Sequence, residues 1–308
     1  MIEVRTAGTL GYCSGVSQAI EKARQYGDSH GRVFSLGTVA HNEAVVEFLR
    51  QHHVIPITPD QMEKGTRVVI TAHGAPPALY TRIGSLGCMS LDCTCPIVRK
   101  AQDVVTELKK AGFDIVIFGD PEHQEVRGLV GWAEEHVKFV GNLNQLFTPG
   151  QEHRTLGLGK QVGVVSQTTK VPSDYADFIS TLANHHIEGF QELRVFNTIC
   201  PIVATRVNDT RKLAGEVDMM FVVGSKESAN TRNLDVVCRQ GITRAKGKVE
   251  PWGVHLIQSE DQVGQALSDW FVENDTALPT VGVTAGTSTP IEVVDKVVAK
   301  LKEFLHAS

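Results

Sequence analysis

This chain has no surplus of positive charge: 30 Lys and Arg stand against 35 Asp and Glu, a formal net charge of -5. A diffuse basic surface of the kind that collects nucleic acid or acidic membranes is therefore excluded, and any anionic ligand must be held by a local site. The opening stretch MIEVRTAGTLGYCSG carries neither a basic leader region nor a long apolar run. It reads as neither a secretion signal nor a spanning helix, and the expected location is the cytoplasm, with no membrane partner. A CxxC pair, the usual mark of a local zinc site, is missing, and so is the GxGxxG fingerprint of a dinucleotide site.

What the chain does have is length and apolar content, 308 residues at 42% hydrophobic, enough to bury a sizeable core. Apolar runs at 32–37, 67–74, 114–119, 162–167, 218–224 and 280–286 alternate with helical patterns such as 97–111, 173–185 and 290–305. Nearly continuous apolar runs suit parallel strands covered on both faces, so the fold class is α/β with mainly parallel sheets. The segments 144–160 and 239–253 read as solvated loops.

Six cysteines, Cys13, Cys88, Cys93, Cys95, Cys200 and Cys238, are expected as ligands, catalysts or core fillers in a reducing compartment. Three of them are evenly tied to a glycine that ends the next strand: Cys13 to Gly37, Cys95 to Gly119 and Cys200 to Gly224 each span 24 positions. "TCPIV" at 94–98 and "ICPIV" at 199–203 repeat the phrase almost letter for letter. The interval predicts a threefold internal repeat of strand, Cys, helix, strand and Gly.

Four residues past each glycine stands a polar side chain, His41, His123 or Ser228. Each repeat also has a later strand ending in small or polar residues: TAHG at 71–74, SQTT at 166–169 and AGTS at 285–288. Ligands of open parallel sheets sit beyond such carboxyl ends.

Pro96 and Pro201 suit the first turn of a helix, so Cys95 and Cys200 stand at helix N-termini, where thiolate is stabilised. Three soft thiolates can hold zinc with a fourth ligand, or three corners of a 4Fe-4S cluster; threefold placement favours the cube. Cys88 and Cys238 read as buried fillers, and Cys93 as core ahead of cluster neighbour. His41, His73 and His123, with the neutral donors Ser228, Asn230, Thr168 and Ser288, form an expected phosphate or diphosphate site. Glu125 is the candidate acid for proton delivery; its plainer reading is a first-turn helix residue favoured by the dipole.

Taken jointly, GYCSGV 11–16, HN 41–42, AHG 72–74, TCP 94–96, HQEV 123–126, SQTT 166–169, TIC 198–200 with ATR 204–206, GSKESANT 224–231 and VTAGTSTP 283–290 resemble the 4-hydroxy-3-methylbut-2-enyl diphosphate reductase (LytB/IspH) family along the whole chain. The resemblance implies three similar α/β modules, 14–94, 95–199 and 200–308, in a pseudo-threefold cloverleaf around a central Fe-S site, with the N-terminal strand within 1–13 completing the third. It implies a 4Fe-4S cluster on Cys13, Cys95 and Cys200. The implied substrate is an allylic alcohol diphosphate, reduced to isopentenyl and dimethylallyl diphosphate in the methylerythritol phosphate route. By the same resemblance His41, His73, His123, Thr168, Ser228, Asn230 and Ser288 bind substrate, while Glu125, His123 and Thr168 act in catalysis. A ferredoxin or flavodoxin is the implied electron donor.

Four positions depart from the family pattern. Gln124 replaces a proline and Arg127 an acid in the His-Pro-Glu-Val-Glu-Gly motif, Ala229 replaces a serine, and Cys93 is unusual. Ala229 removes one donor, a loss of roughly 1 kcal/mol that a backbone amide or Arg127 is expected to offset. The alternatives are a divergent enzyme reducing a related allylic diphosphate, a non-catalytic Fe-S redox sensor, and a zinc hydrolase.

Overall fold

The structure, a computed structural model, describes residues 3–146, 156–247, 250, 253–274 and 279–306. Residues 1–16, 41–45 and 201–308 form one compact unit, and residues 17–40 and 46–200 the other.

The described chain runs β1 (Glu3–Thr6), α1 (Ser14–His30), β2 (Val33–Leu36), α2 (Glu43–Gln51), β3 (Val54–Ile57), β4 (Arg67–Ile70), α3 (Pro77–Ser85), β5 (Met89–Asp92) and α4 (Pro96–Lys110). It continues through β6 (Asp114–Phe118), α5 (Gln124–Ala133), β7 (Val137–Gly141), α6 (Leu143–Leu146), β8 (Gln161–Ser166), α7 (Pro172–His186), β9 (Glu192–Val195) and α8 (Pro201–Ala214). The last elements are β10 (Met219–Val223), α9 (Ala229–Lys246), β11 (Val254–Ile257), α10 (Val263–Asn274), β12 (Thr280–Ala285) and α11 (Ile291–His306).

The strands form three four-stranded sheets, β3-β2-β4-β5, β7-β6-β8-β9 and β11-β10-β12-β1. Every pairing is parallel, so the expected class of three α/β modules holds. All three sheets have the same order, with β1 taking the edge place that β5 and β9 take elsewhere. Its pairing runs from Glu3 opposite Thr280 to Thr6 opposite Val283.

The central strands explain their own apolar continuity. All five residues of β10, MMFVV, are buried because helices cover both faces of the sheet. Phe221 and Val223 lie in one core with Val283, Val294, Val297 and Trp270. In the other unit, Ile115 and Ile117 pack with Val105, Leu108, Val126 and Leu129 from α4 and α5. Each such side chain contributes about 1.5–3 kcal/mol by leaving water.

One expected loop is a helix. Residues 239–246 continue α9, which ends where Gly247 adopts the left-handed conformation, φ 80°. The run of basic residues masked an inward stripe, since Leu234, Val237, Cys238, Gly241 and Ile242 are buried at helical spacing while Arg244 and Lys246 face water. Gly241 is there because α8 comes close: a Cβ would stand 2.7 Å from the Cβ of Ala214. Of the other expected loop, 144–160, residues 147–155 lie outside the described residues, and 144–146 finish α6.

Candidate functional site

The repeat is visible in its hydrogen bonds. Gly37, Gly119 and Gly224, at the ends of β2, β6 and β10, donate their amides to Ile57, Gly141 and Ile257 on the adjoining strand, at 2.9, 3.0 and 2.8 Å. Each of the three spaced cysteines sits between an edge strand and a helix start, and donates its own amide to a strand tip. Cys13 donates to the Thr287 carbonyl at 3.2 Å, Cys95 to Ala72 at 3.0 Å and Cys200 to Thr168 at 2.9 Å. These acceptors fall in AGTS, TAHG and SQTT. The edge strand thus hands its cysteine to the tip of its neighbour three times over.

Helix N-termini follow all three: α1 starts at Ser14, α4 at Pro96 and α8 at Pro201. Pro96 stands in the first turn of α4, where no amide hydrogen is needed. The three thiols are half-buried and free of disulfides, and Cys13 Sγ already accepts from the Val16 amide at 3.5 Å. A half-buried thiol outside any disulfide is a soft donor of the kind that takes a soft metal.

In the unit of residues 17–40 and 46–200, Glu125 is brought to Thr168. It occupies the first turn of α5, as its plainer reading requires, but its carboxyl turns inward and is 1% exposed. The Thr168 amide donates to Oε1 at 2.6 Å and the Thr168 hydroxyl to Oε2 at 2.8 Å. Burial pushes the carboxyl up to about 7, against the pull of those two hydrogen bonds and of Lys170.

His123 caps α5 at its N-terminus: Nδ1 accepts from the Glu125 amide at 3.2 Å. The His123 and His73 rings meet edge to face, 5.6 Å between centroids. His73, Glu125, His123 and Thr168 therefore gather at the tips of β4, β6 and β8.

In the unit of residues 1–16, 41–45 and 201–308, Cys13, His41, Asn230 and Ser288 converge on the tip of β12. Asn230 Oδ1 accepts from the Thr287 amide at 2.9 Å, and Thr287 holds Cys13. The Asn230 side chain is 2% exposed, and its Nδ2 finds no partner among the described residues. A buried, unsatisfied donor in the first turn of an 18-residue helix is suited to an anion. Ser228 caps that helix, accepting from the Thr231 amide at 3.4 Å.

Ser288 does not stand free as a donor: its hydroxyl donates to the His41 carbonyl at 3.3 Å. Burial, with the charge of Arg232, holds the His41 imidazole below its ordinary value.

Sequence reasoning quoted Arg206 within ATR 204–206 but gave it no role; the side chain is fully buried. Its guanidinium donates to the Ala285 carbonyl at 2.6 Å and to Gly11 at 2.9 Å, pinning the Cys13 loop to the β12 tip, and it lies within the field of the Cys13 thiol. The available signal was its spacing on α8 with buried Val203, Val207 and Thr210, which puts the cation on the inward face.

The remaining cysteines are placed differently. Cys93 is buried, its amide tied to Ile70, and burial pushes its thiol up to about 11. Burial likewise raises Cys238, and the Cys88 thiol donates to the Glu63 carbonyl at 3.3 Å. Arg127, expected to offset the donor lost at Ala229, points instead to solvent and pairs with Glu122; its side chain is 63% exposed. Two positions past Glu125 on a helix is the opposite face, so only one of the pair can turn inward.

Residues 4–302 match a family model described as LytB protein. A "4-hydroxy-3-methylbut-2-enyl diphosphate reductase" of Caldanaerobacter subterraneus is 32% identical over 98% of both chains. A solved structure titled (E)-4-hydroxy-3-methyl-but-2-enyl diphosphate reductase, the terminal enzyme of the non-mevalonate pathway, is 28% identical with a TM-score of 0.64, covering 98% of this chain and 100% of the other. The reductase from Plasmodium falciparum shares the fold at a TM-score of 0.81 and 23% identity, covering 97% of this chain and 87% of its own. No described helix is long and apolar enough to cross a membrane.

Proposed function

The chain belongs to the LytB family, and from that premise we propose that it is an oxidoreductase acting on 4-hydroxy-3-methylbut-2-enyl diphosphate, at the last step of the methylerythritol phosphate route to isoprenoids. The reaction removes the allylic hydroxyl: with two electrons and two protons the substrate gives isopentenyl or dimethylallyl diphosphate and one water. The observation that carries the chemistry is Glu125, a buried carboxyl pushed up to about 7 and held by Thr168.

Cys13, Cys95 and Cys200 would hold a 4Fe-4S cluster. The fit rests on three half-buried thiols, none in a disulfide, each beside a helix start and soft in donor character. When bound, the cluster would supply electrons and a Lewis-acidic iron.

The chain's own residues do the rest. Asn230 Nδ2, Ser228 and the α9 N-terminus offer donors for the diphosphate, together with His41, His73 and His123; Thr168 and Ser288 would join them on giving up their bonds to Glu125 and to the His41 carbonyl. Near pH 7 Glu125 holds a proton on a carboxylate oxygen, and Thr168 Oγ1 stands at 2.8 Å to pass it toward the leaving oxygen. His123 orients substrate beside this pair. Burial of Glu125 and Thr168 keeps bulk water from that proton.

A small iron-sulfur or flavin protein, a ferredoxin or flavodoxin, would deliver the electrons in the cytoplasm. Ala229, in the first turn of α9 where the family pattern has serine, favours one second reading: a related allylic diphosphate as substrate.

The test is turnover of the hydroxymethylbutenyl diphosphate by anaerobically reconstituted protein with reduced viologen. Conversion to the two five-carbon products is expected. A fully loaded cluster with no conversion rejects this substrate.

A further inference from the structure

Gln124 is spent on something the family's proline at this position cannot do. Its Nε2 donates to the Leu36 carbonyl at the end of β2, at 3.1 Å, and to Thr71 Oγ1 just beyond β4, at 3.2 Å. Thr71 Oγ1 in turn lies 3.2 Å from His73 Nδ1. Gly37 closes the other side: at φ 89° it lies so near that a Cβ would come 3.0 Å from Gln124 Oε1. The amide is therefore held in one place.

One arrangement of protons along this chain leaves no buried group unsatisfied. A main-chain carbonyl only accepts, so the Leu36 oxygen requires the amide nitrogen, not the amide oxygen, to face it. The second Nε2 hydrogen then goes to Thr71 Oγ1, which becomes an acceptor there. Thr71 is fully buried, and among the described residues its own hydroxyl hydrogen has one acceptor within reach, His73 Nδ1. An Nδ1 that accepts leaves the neutral ring's hydrogen on Nε2.

We propose that Gln124 is a positioning residue that, through Thr71, fixes His73 as the Nε2–H tautomer and so presents a donor to the anionic substrate. His123 reaches the same state by another route, its Nδ1 accepting from the Glu125 amide. The two edge-to-face rings thus offer matched Nε2–H donors. The anion's identity rests on the function proposed above; the tautomer does not.

The experiment is nitrogen NMR of the full-length chain with 15N-labelled imidazoles, recorded without substrate before and after cluster reconstitution, with His73→Asn to identify the signals. A pyridine-like Nδ1 and a pyrrole-like Nε2 at His73 are expected. In Gln124→Leu the fixed tautomer should become a mixture and KM should rise roughly three- to tenfold, with kcat changed less. In Gln124→Glu a carboxylate draws the Thr71 hydroxyl hydrogen to itself, and His73 should move to the Nδ1–H form. Thr71→Val cuts the relay at its middle and should match Gln124→Leu if the latter folds poorly. An Nδ1–H ring in the wild type, or an unchanged tautomer in Thr71→Val, overturns the relay even if the enzyme turns over. An Nε2–H ring in a protein that converts no substrate upholds the relay and overturns the substrate reading.

Discussion

Thr168 grips both oxygens of Glu125, amide to Oε1 at 2.6 Å and hydroxyl to Oε2 at 2.8 Å, at a site where the carboxyl is 1% exposed. Those bonds lower the carboxyl's proton affinity while burial raises it more, leaving it at about 7.

Glu125→Gln keeps the shape, since an amide can accept from the Thr168 amide and donate to its hydroxyl oxygen. Turnover should fall about 10²–10⁴-fold with the visible cluster absorption unchanged. Retained turnover removes Glu125 from the proton path.

The same carboxyl makes stability depend on pH. In the unfolded chain it ionises near its ordinary 4.5; in the folded chain it keeps its proton up to about 7. Its contribution is fully present below 4.5 and is lost as pH rises through 7, by about 3 kcal/mol. Urea unfolding at pH 5 and pH 8 should show the wild type losing stability relative to Glu125→Gln across that interval. Parallel curves for the two proteins contradict the assignment.

Thr168→Val removes one of the bonds that hold the proton affinity down. The alkaline limb of kcat should move to higher pH while kcat itself drops roughly tenfold or more. A limb that moves to lower pH is the opposite of what this geometry requires.

Arg206→Met should cost about 3 kcal/mol or more, because the Gly11 and Ala285 carbonyls lose their buried donor. Iron retention should fall with it, since the Cys13 loop is no longer pinned. Cys13→Ser, Cys95→Ser and Cys200→Ser should each lose iron, whereas Cys93→Ser and Cys238→Ser should alter stability and leave iron content near wild type. Iron analysis of the six proteins separates ligands from core.

Asn230→Leu removes the unpartnered donor near the β12 tip and should raise KM by about tenfold or more, while Ala229→Ser should lower it a few-fold. Equal KM values in all three proteins place the diphosphate elsewhere.

Much of this was legible in one dimension. An interval of 24 residues from cysteine to glycine is a strand-to-strand distance across a helix, and covalent spacing alone carries it. Apolar runs showed parallel strands because burial on both faces leaves no polar alternation to read. The helix at 239–246 stayed hidden: a charged outer face dominates its composition, and only the approach of α8 reveals the inner one. Arg127 and Glu125 looked equally available two letters apart, and helix geometry turned one outward and the other in.

What the sequence determined by itself is the repeat, its cysteines and the residue types at the strand tips, since these follow from order and spacing along the chain. What tertiary structure decided is their chemical state: which way Glu125 faces, that Arg206 is buried against the Cys13 loop, and which ring nitrogen of His73 carries its hydrogen. Proton affinity and tautomer depend on burial and on partners tens of residues away, Thr168 for Glu125 and Gln124 for Thr71. Distance along the chain carries no record of those partners.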